Sequence, residues 1–296
     1  MQRSNITRAP KGVLAAAILV INTLAVCCCM VPLALLKFAL PFRAVRRATD
    51  RALNALAEAW TGINSAWIAA VGRIRWDISG IDGLDPGRWY LLSSNHQSWV
   101  DIFVLQRVFR GRVPLLKFFL KRELIYVPVI GLAWWALDFP FVRRSGGVQG
   151  SKEDLEATRK SCERFKAIPT SVINFLEGTR FTRKKALAQR SPYRHLLKPK
   201  VAGMAMALAT MGEKFDALLE VTIVYPRGAP SLWDLLTGGL EEVIVRVREL
   251  PVPPELVGSG SSRDRAFRGA VQGWIQDLWE EKDQRMEELL QAAKSR

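Results

Sequence analysis

Histidine is rare in this chain: two occur in 296 residues. One of them, His96, stands in the stretch NHQSWVD (residues 95–101), five positions ahead of Asp101 and directly after the apolar-leaning run WYLLSS. An ionised carboxylate can hold one imidazole N–H, fix the tautomer and stabilise the imidazolium. The other ring nitrogen is then free to take a proton from a hydroxyl. Geometry limits how such a pair forms. On a continuous helix five residues turn through about 500°, which leaves the two side chains roughly 140° apart. They meet only if His96 occupies a turn and Asp101 the first turn of the following helix. Ser94 and Ser98 are near, yet no Ser, Cys or Thr is placed as an obvious nucleophile, so the pair would activate a substrate hydroxyl directly. Taken alone, the spacing also suits a buried structural histidine.

A second stretch with chemical content is FLEGTR, residues 175–180. Gly178 lets the backbone approach a ligand closely or adopt positive φ. Arg180 can grip a phosphate bidentately. Glu177 can orient these groups or bind an acceptor hydroxyl, and backbone N–H groups of the turn can face an oxyanion. The bland alternative is a turn with a solvated charge pair. The other histidine, His195, lies in SPYRHLLKPK with basic residues around it and no acid beside it, and reads as a surface or packing residue. From Arg180 to Lys200 eight Lys or Arg occur with no acidic residue. A solvated face would look the same, but the preferred reading is contact with anionic lipid or with phosphates of a substrate.

The elements that must position these residues alternate. RIRWDISG and WYLLSSN read as strands, WVDIFVLQRVF as a helix and DFPFVRR as a strand. SKEDLEATRKSCERFKA reads as a polar helix capped by Ser151, TSVINFLEG as a β-branched strand, and VAGMAMALATMG as a helix. ALLEVTIVYP and EEVIVRVREL complete the strands, and a long terminal helix begins near RDRAF. This order predicts an α/β fold: a mixed, largely buried central sheet flanked by helices, with reactive groups in loops after strand C-terminal ends.

Upstream, residues 12–36 run for 25 positions without a charge. At about 1.5 Å per residue that exceeds a hydrocarbon core of about 30 Å. The run is longer than a signal-peptide core and no small-residue cleavage site follows, so a retained N-terminal apolar membrane-anchoring helical segment is expected. Both flanks are basic, which a single straight span does not satisfy. Pro32 can break the segment into a re-entrant one, or residues 52–72 can return as a second shallow helix with Trp60, Trp67 and Trp76 at the lipid interface. The expected division is residues 1–72 as anchor and interfacial helices and 73–296 as the remaining domain. Lys and Arg number 43 against 28 Asp and Glu, a formal charge of +15. That surplus implies anionic partners. Few aromatics accompany the basic stretch and an apolar segment opens the chain, so nucleic acid is set aside in favour of membrane phospholipids. Cys27, Cys28 and Cys29 are consecutive in the apolar run, Cys162 is alone, and neither matches metal-ligand spacing; no metal site is expected.

Taken together, the two motif stretches resemble the glycerolipid acyltransferase family, in particular bacterial lysophosphatidic acid acyltransferases. Asn95, His96 and Asp101 match its NH-x4-D motif. Phe175, Glu177, Gly178, Thr179 and Arg180 match F-P-E-G-T-R, with Leu176 in place of the proline. KRELIYVPVIG looks like the K-x-E-L segment and DFPFVRR like the G-x-x-F-[IV]-x-R motif with Asp138 in place of the glycine; VTIVYP resembles the late V-x-I-x-P strand. The resemblance covers about residues 74–226 in motif order and leaves the C-terminal 70 or so without a motif. It implies transfer of a fatty acyl group from acyl-CoA or acyl carrier protein to the free hydroxyl of lysophosphatidic acid, at the cytoplasmic face of a bacterial inner membrane. His96 and Asp101 would be catalytic. Lys121, Arg144, Glu177, Gly178, Thr179 and Arg180 would bind the acceptor. No cofactor is implied beyond the donor, which is consumed. The alternatives are another lysophospholipid acceptor, acyl-chain remodelling, or a non-catalytic anionic-lipid-binding membrane protein.

Overall fold

The computed structural model describes residues 3–40, 42–139, 141–142, 163, 168–257 and 264–296. Arg144, Cys162 and the helix expected over 151–167 lie outside the described residues, apart from Glu163.

Two helices open the chain: α1 (Arg3–Ala39) and α2 (Arg43–Val71). Pro10 and Pro32 both lie inside α1 and neither ends it; of the two arrangements open from the sequence, a break at Pro32 is absent and the second helix expected over 52–72 is present as part of α2. The pair forms a hairpin. Lys37 meets Asp50 near the turn, while Asn22 meets Asn64 farther along, so numbers rise on one helix as they fall on the other. A central sheet follows, in the order β1 (Arg75–Ser79), β8 (Glu242–Leu250), β7 (Ala217–Val224), β2 (Tyr90–Ser94), β6 (Ser171–Phe175), β3 (Leu116–Phe118). From β7 to β3 the strands are parallel; β8 runs antiparallel to β7 and parallel to β1. A separate pair, β4 (Leu120–Lys121) and β5 (Phe141–Val142), stands beside it. Every residue of β2 and β7 is buried, as near-continuous apolar runs in a two-sided sheet should be.

Side-chain alternation divides the core in two. Tyr90, Leu92, Leu219 and Val245 point toward the α1–α2 hairpin, α3 (Val100–Phe109) and α4 (Ile130–Ala136). Leu91, Val172, Leu218 and Ile244 point the other way, toward α6 (Ala202–Met211) and α8 (Arg265–Lys294). Two short helices, α5 (Arg183–Ala188) and α7 (Leu232–Leu236), lie in the connections. The strands and helices expected from the sequence are present wherever residues are described. The short β3, β4, α4, α5 and α7 were not foreseen, because pieces of two to seven residues carry no usable periodicity.

The hairpin is bolted to the rest by charge. Lys37, almost fully buried, bonds Asp50 of α2 at 2.8 Å, Asp138 at 2.6 Å and the carbonyl of Ala136 at 2.8 Å. Asp138 has φ of 59°, the left-handed region, so it keeps the backbone shape a glycine would adopt there and adds an ion pair. Lys117 of β3 is also buried among these groups, and desolvation brings its pKa down to about 8. The tryptophans expected at a lipid interface also have partners within the protein. Trp60 donates to Thr23 of α1, Trp67 is buried and donates to Asn64, and the Trp76 ring lies under the Arg107 guanidinium. α1 still presents Val13, Leu14, Val20, Ile21, Leu35 and Phe38 outward, and its stretch Ala9–Ala39 is long and apolar enough to cross a membrane.

Candidate active site

The site forms where β2, β6 and β7 end side by side. Past Ser94 and Val221 the strands β2 and β7 part, and the Asn95 side chain fills the gap as a substitute peptide. Its Nδ2 donates to the Ile223 carbonyl and its Oδ1 accepts from the Ile223 N–H, both at 2.8 Å. His96 is thereby lifted into the turn before α3. Its own backbone is clamped to the 175–181 loop from both sides: its N–H donates to Glu177 Oε1 at 2.7 Å, and its carbonyl accepts from Phe181 N–H at 2.7 Å. The imidazole stacks on Phe175, with ring centroids 4.1 Å apart and an interplanar angle of 18°.

Asp101 sits in the first turn of α3, completely buried, and His96 Nδ1 meets its Oδ2 at 2.8 Å. The same oxygen accepts from the N–H groups of Gln97 at 2.6 Å and Ser98 at 2.9 Å, while Oδ1 accepts from the Tyr225 hydroxyl at 2.6 Å. Four donors thus serve this carboxylate, three at Oδ2 and one at Oδ1, and a helix N-terminus favours its charge. Burial and the Asp101 anion push the Tyr225 phenol well above its ordinary pKa, so it stays a donor. With Nδ1 facing the carboxylate, Nε2 of His96 carries no hydrogen bond among the described residues and is the nitrogen left for a substrate proton.

Glu177 is also fully buried. Its two oxygens accept from His96 N–H and, at 2.9 Å, from Leu197 N–H, which places it behind the histidine as an orienting group. Burial raises its pKa to about 7, and the two backbone donors and the Lys282 ammonium hold it back from rising further. Gly178 has φ of 66°, and a Cβ there would lie 3.1 Å from Lys200 Cδ, so glycine suits the turn on both counts. Thr179 Oγ1 and the Arg180 carbonyl both accept from Lys185 Nζ, at 2.8 and 2.9 Å. Arg180 is exposed, its guanidinium 5.1 Å from the centroid of the Trp99 ring. Lys121 belongs to β4, and only its backbone is described. Leu176, where the motif has proline, is completely buried in the core under α6 and α8.

Residues 75–225 match the family model described as Acyltransferase. The chain belongs to this family of glycerolipid acyltransferases. The lysocardiolipin acyltransferase 1 of Danio rerio is 25% identical over 84% of this chain and 63% of its own length. The 1-acyl-sn-glycerol-3-phosphate acyltransferase 3 of Arabidopsis thaliana is 27% identical over 67% of this chain and 52% of its own. The chain therefore spans less than two thirds of these curated relatives. The crystal structure of the 1-acyl-sn-glycerophosphate acyltransferase from Thermotoga maritima superposes with a TM-score of 0.53 at 18% identity, covering 94% of this chain and 98% of that one, which shows a shared fold.

Several groups that shape this acyltransferase site escaped sequence reasoning. Tyr225 lies in VTIVYP, a stretch singled out for its strand pattern but not for its phenol. Lys282 occupies a core position of α8, in register with Phe267, Val271, Ile275, Leu278, Trp279 and Met286. A lysine on an apolar stripe was the signal that went unused. His195, read as having no acid near it, is corrected by the fold: Glu287 of α8 stands 2.6 Å from its Nε2.

Proposed function

We propose that this protein transfers a fatty acyl group from acyl-CoA or acyl carrier protein to the free glycerol hydroxyl of lysophosphatidic acid, giving phosphatidic acid. The observation that carries the reading is the 2.8 Å His96–Asp101 pair, with His96 clamped by its backbone and Nε2 left open. The acceptor hydroxyl loses its proton to His96 Nε2 as its oxygen attacks the thioester carbonyl. The C–S bond then breaks, and the same proton passes to the departing thiolate. Asp101 stabilises the imidazolium formed between these steps. General-base help of this kind is worth on the order of 10²–10⁴ in rate. The histidine supplies its base without a resident metal or cofactor.

Arg180, with Arg144 and Lys121 by motif position, holds the acceptor phosphate, and the Gly178–Thr179 turn places the loop against it. Residues 1–72 serve as the membrane unit and 73–296 as the acyltransferase domain. The apolar outer face of α1 and the basic residues of 180–200 support binding to anionic phospholipid, at the cytoplasmic face of a bacterial inner membrane. The similarity to lysocardiolipin acyltransferase 1 over most of this chain favours one second reading, a lysophospholipid acceptor whose phosphate is a diester.

The test compares lysophosphatidic acid, a lysophospholipid diester and a neutral monoacylglycerol as acceptors, in wild type and Arg180→Ala. Wild type should prefer the phosphate monoester. The variant should lose most of that preference, by roughly 2–3 kcal/mol in kcat/KM, with Lys a partial rescue because an ammonium lacks the planar fork. Stronger use of the diester moves the second reading ahead; equal use of the neutral acceptor removes phosphate recognition from the account.

A further inference from the structure

The C-terminal helix lies outside the family match, yet its contacts converge on the catalytic histidine from beneath. Lys282 is completely buried. Its ammonium bonds Glu220 at 2.7 Å and the Val221 carbonyl at 2.6 Å, and reaches the Ser93 carbonyl at 3.5 Å. Ser93 and Val221 lie on the adjacent parallel strands β2 and β7, just before the point where they part and Asn95 bridges them. One cation therefore gathers carbonyls of two strands below the turn that carries His96.

Neighbouring turns of the same helix face hold a loop. Trp279 Nε1 donates to the Leu197 carbonyl at 3.0 Å. Asp283 accepts from Arg194 N–H at 2.9 Å and His195 N–H at 2.8 Å, and Glu287 takes the His195 ring. Leu197 is thus held by its carbonyl to α8 while its N–H is given to Glu177, whose other oxygen holds His96 N–H. The path from helix to base is continuous: α8, Leu197, Glu177, His96.

We infer that α8 is a positioning element of the active site, with Lys282 drawing together the ends of β2 and β7 and the Trp279–Asp283–Glu287 face presenting Leu197 to Glu177. Lys282 touches no substrate. The inference rests on the acyl-transfer reading and adds a part that no motif contains. The charged groups around Lys282 are Glu220 on β7, Glu177 in the loop after β6 and Arg285 on α8 itself, with Arg248 on β8 joining Glu220 to Glu281 of α8. Those facing Glu177 are Lys282 and Asp101. Glu220 keeps Arg248 at 2.9 Å and Arg285 at 3.1 Å when Lys282 is replaced, so a neutral side chain there leaves no isolated buried carboxylate.

The test uses the full chain with Lys282→Met, and Trp279→Phe as a variant that keeps an aromatic ring and loses the donor. Two readouts are taken: the pH dependence of kcat with acyl-CoA and lysophosphatidic acid, and the amide signals of nitrogen-15 histidine. The chain has just two histidines, so their amides are assigned with a single substitution at His195. Without the nearby cation Glu177 keeps its proton to higher pH. Lys282→Met should lower kcat about tenfold near neutrality with both KM values within about twofold. The acidic limb should shift upward, as should the titration midpoint of the His96 amide. Trp279→Phe should move kcat about threefold in the same direction. Unchanged kcat and an unmoved His96 amide in both variants overturn the inference. Absence of acyl transfer in wild type overturns the enzymatic reading instead, and a His96 amide that still responds to Lys282→Met upholds the structural link by itself.

Discussion

Replacing Asp101 by Asn probes the charge of the site with little change in shape. Asp101 Oδ2 accepts from three donors, His96 Nδ1, Gln97 N–H and Ser98 N–H. An asparagine must put its oxygen there, because its amide nitrogen would point hydrogens at two backbone N–H groups. The nitrogen then replaces Oδ1 and faces Tyr225, whose hydroxyl can turn to accept. The imidazole keeps its tautomer and its place, and what is lost is the negative charge. A unit charge pair separated by roughly 3.5 Å at an effective dielectric constant of about 20 attracts by about 5 kcal/mol. The neutral carbonyl returns about 1 kcal/mol of that as an ordinary hydrogen bond. The imidazolium of the transition state is then about 3–4 kcal/mol less stable, which is a fall in kcat of about 10²–10³. Thiol release from acyl-CoA, measured with saturating acceptor, reads this directly, and a melting curve checks that the variant is folded. A folded Asp101→Asn with kcat within about threefold of wild type would falsify the electrostatic role given to Asp101.

Other expectations follow from the same geometry. Glu177 titrates near pH 7 in the fold against about 4.5 when unfolded, so the native state binds the extra proton and stability falls as pH rises between these values, by about 3 kcal/mol. Urea unfolding at about pH 5 and about pH 8 should show this loss in wild type and not in Glu177→Gln. Gly178→Ala should cost about 1–2 kcal/mol in stability, because its φ of 66° suits glycine, and should slow transfer by disturbing the turn; an unchanged melting temperature and rate would contradict that. Lys37→Met removes the cation that bridges the Asp50 and Asp138 carboxylates at the seam between hairpin and sheet, and should destabilise by about 3–5 kcal/mol, read by denaturant midpoint. A midpoint equal to wild type would show the seam to be dispensable.

Which parts were legible in the sequence follows from how far each signal reaches. The strands β2 and β7 are near-continuous apolar runs, and α8 repeats its buried residues at helical spacing, so local pattern was enough to find them. The His96–Asp101 contact was legible because the spacing permits it in one arrangement, a turn running into a helix. Glu177 was named, but its orienting role depends on Leu197, twenty residues on, and on a backbone N–H, which no side-chain pattern encodes. Lys282 reaches Ser93 across 189 positions, and only the packed sheet brings them together. Asp138 looked like a departure from a glycine motif; its left-handed backbone and its bond to Lys37 become visible only with the hairpin in place. The hydrogen bonds that Trp60 and Trp67 make within the hairpin could not be read from the sequence, because their partners Thr23 and Asn64 depend on how α1 and α2 pack.

The central claim is that His96 is the base of an acyl transfer to a lysophospholipid hydroxyl. The most direct measurement is mass-spectrometric detection of phosphatidic acid formed from lysophosphatidic acid and acyl-CoA by purified wild type and His96→Ala, with co-sedimentation on anionic vesicles followed in parallel. Wild type should form the diacyl product. His96→Ala should form it about 10²–10⁴ times more slowly while sedimenting equally, since the base does not hold the apolar face of α1. Near-normal product from His96→Ala, folded and vesicle-bound, would contradict the account.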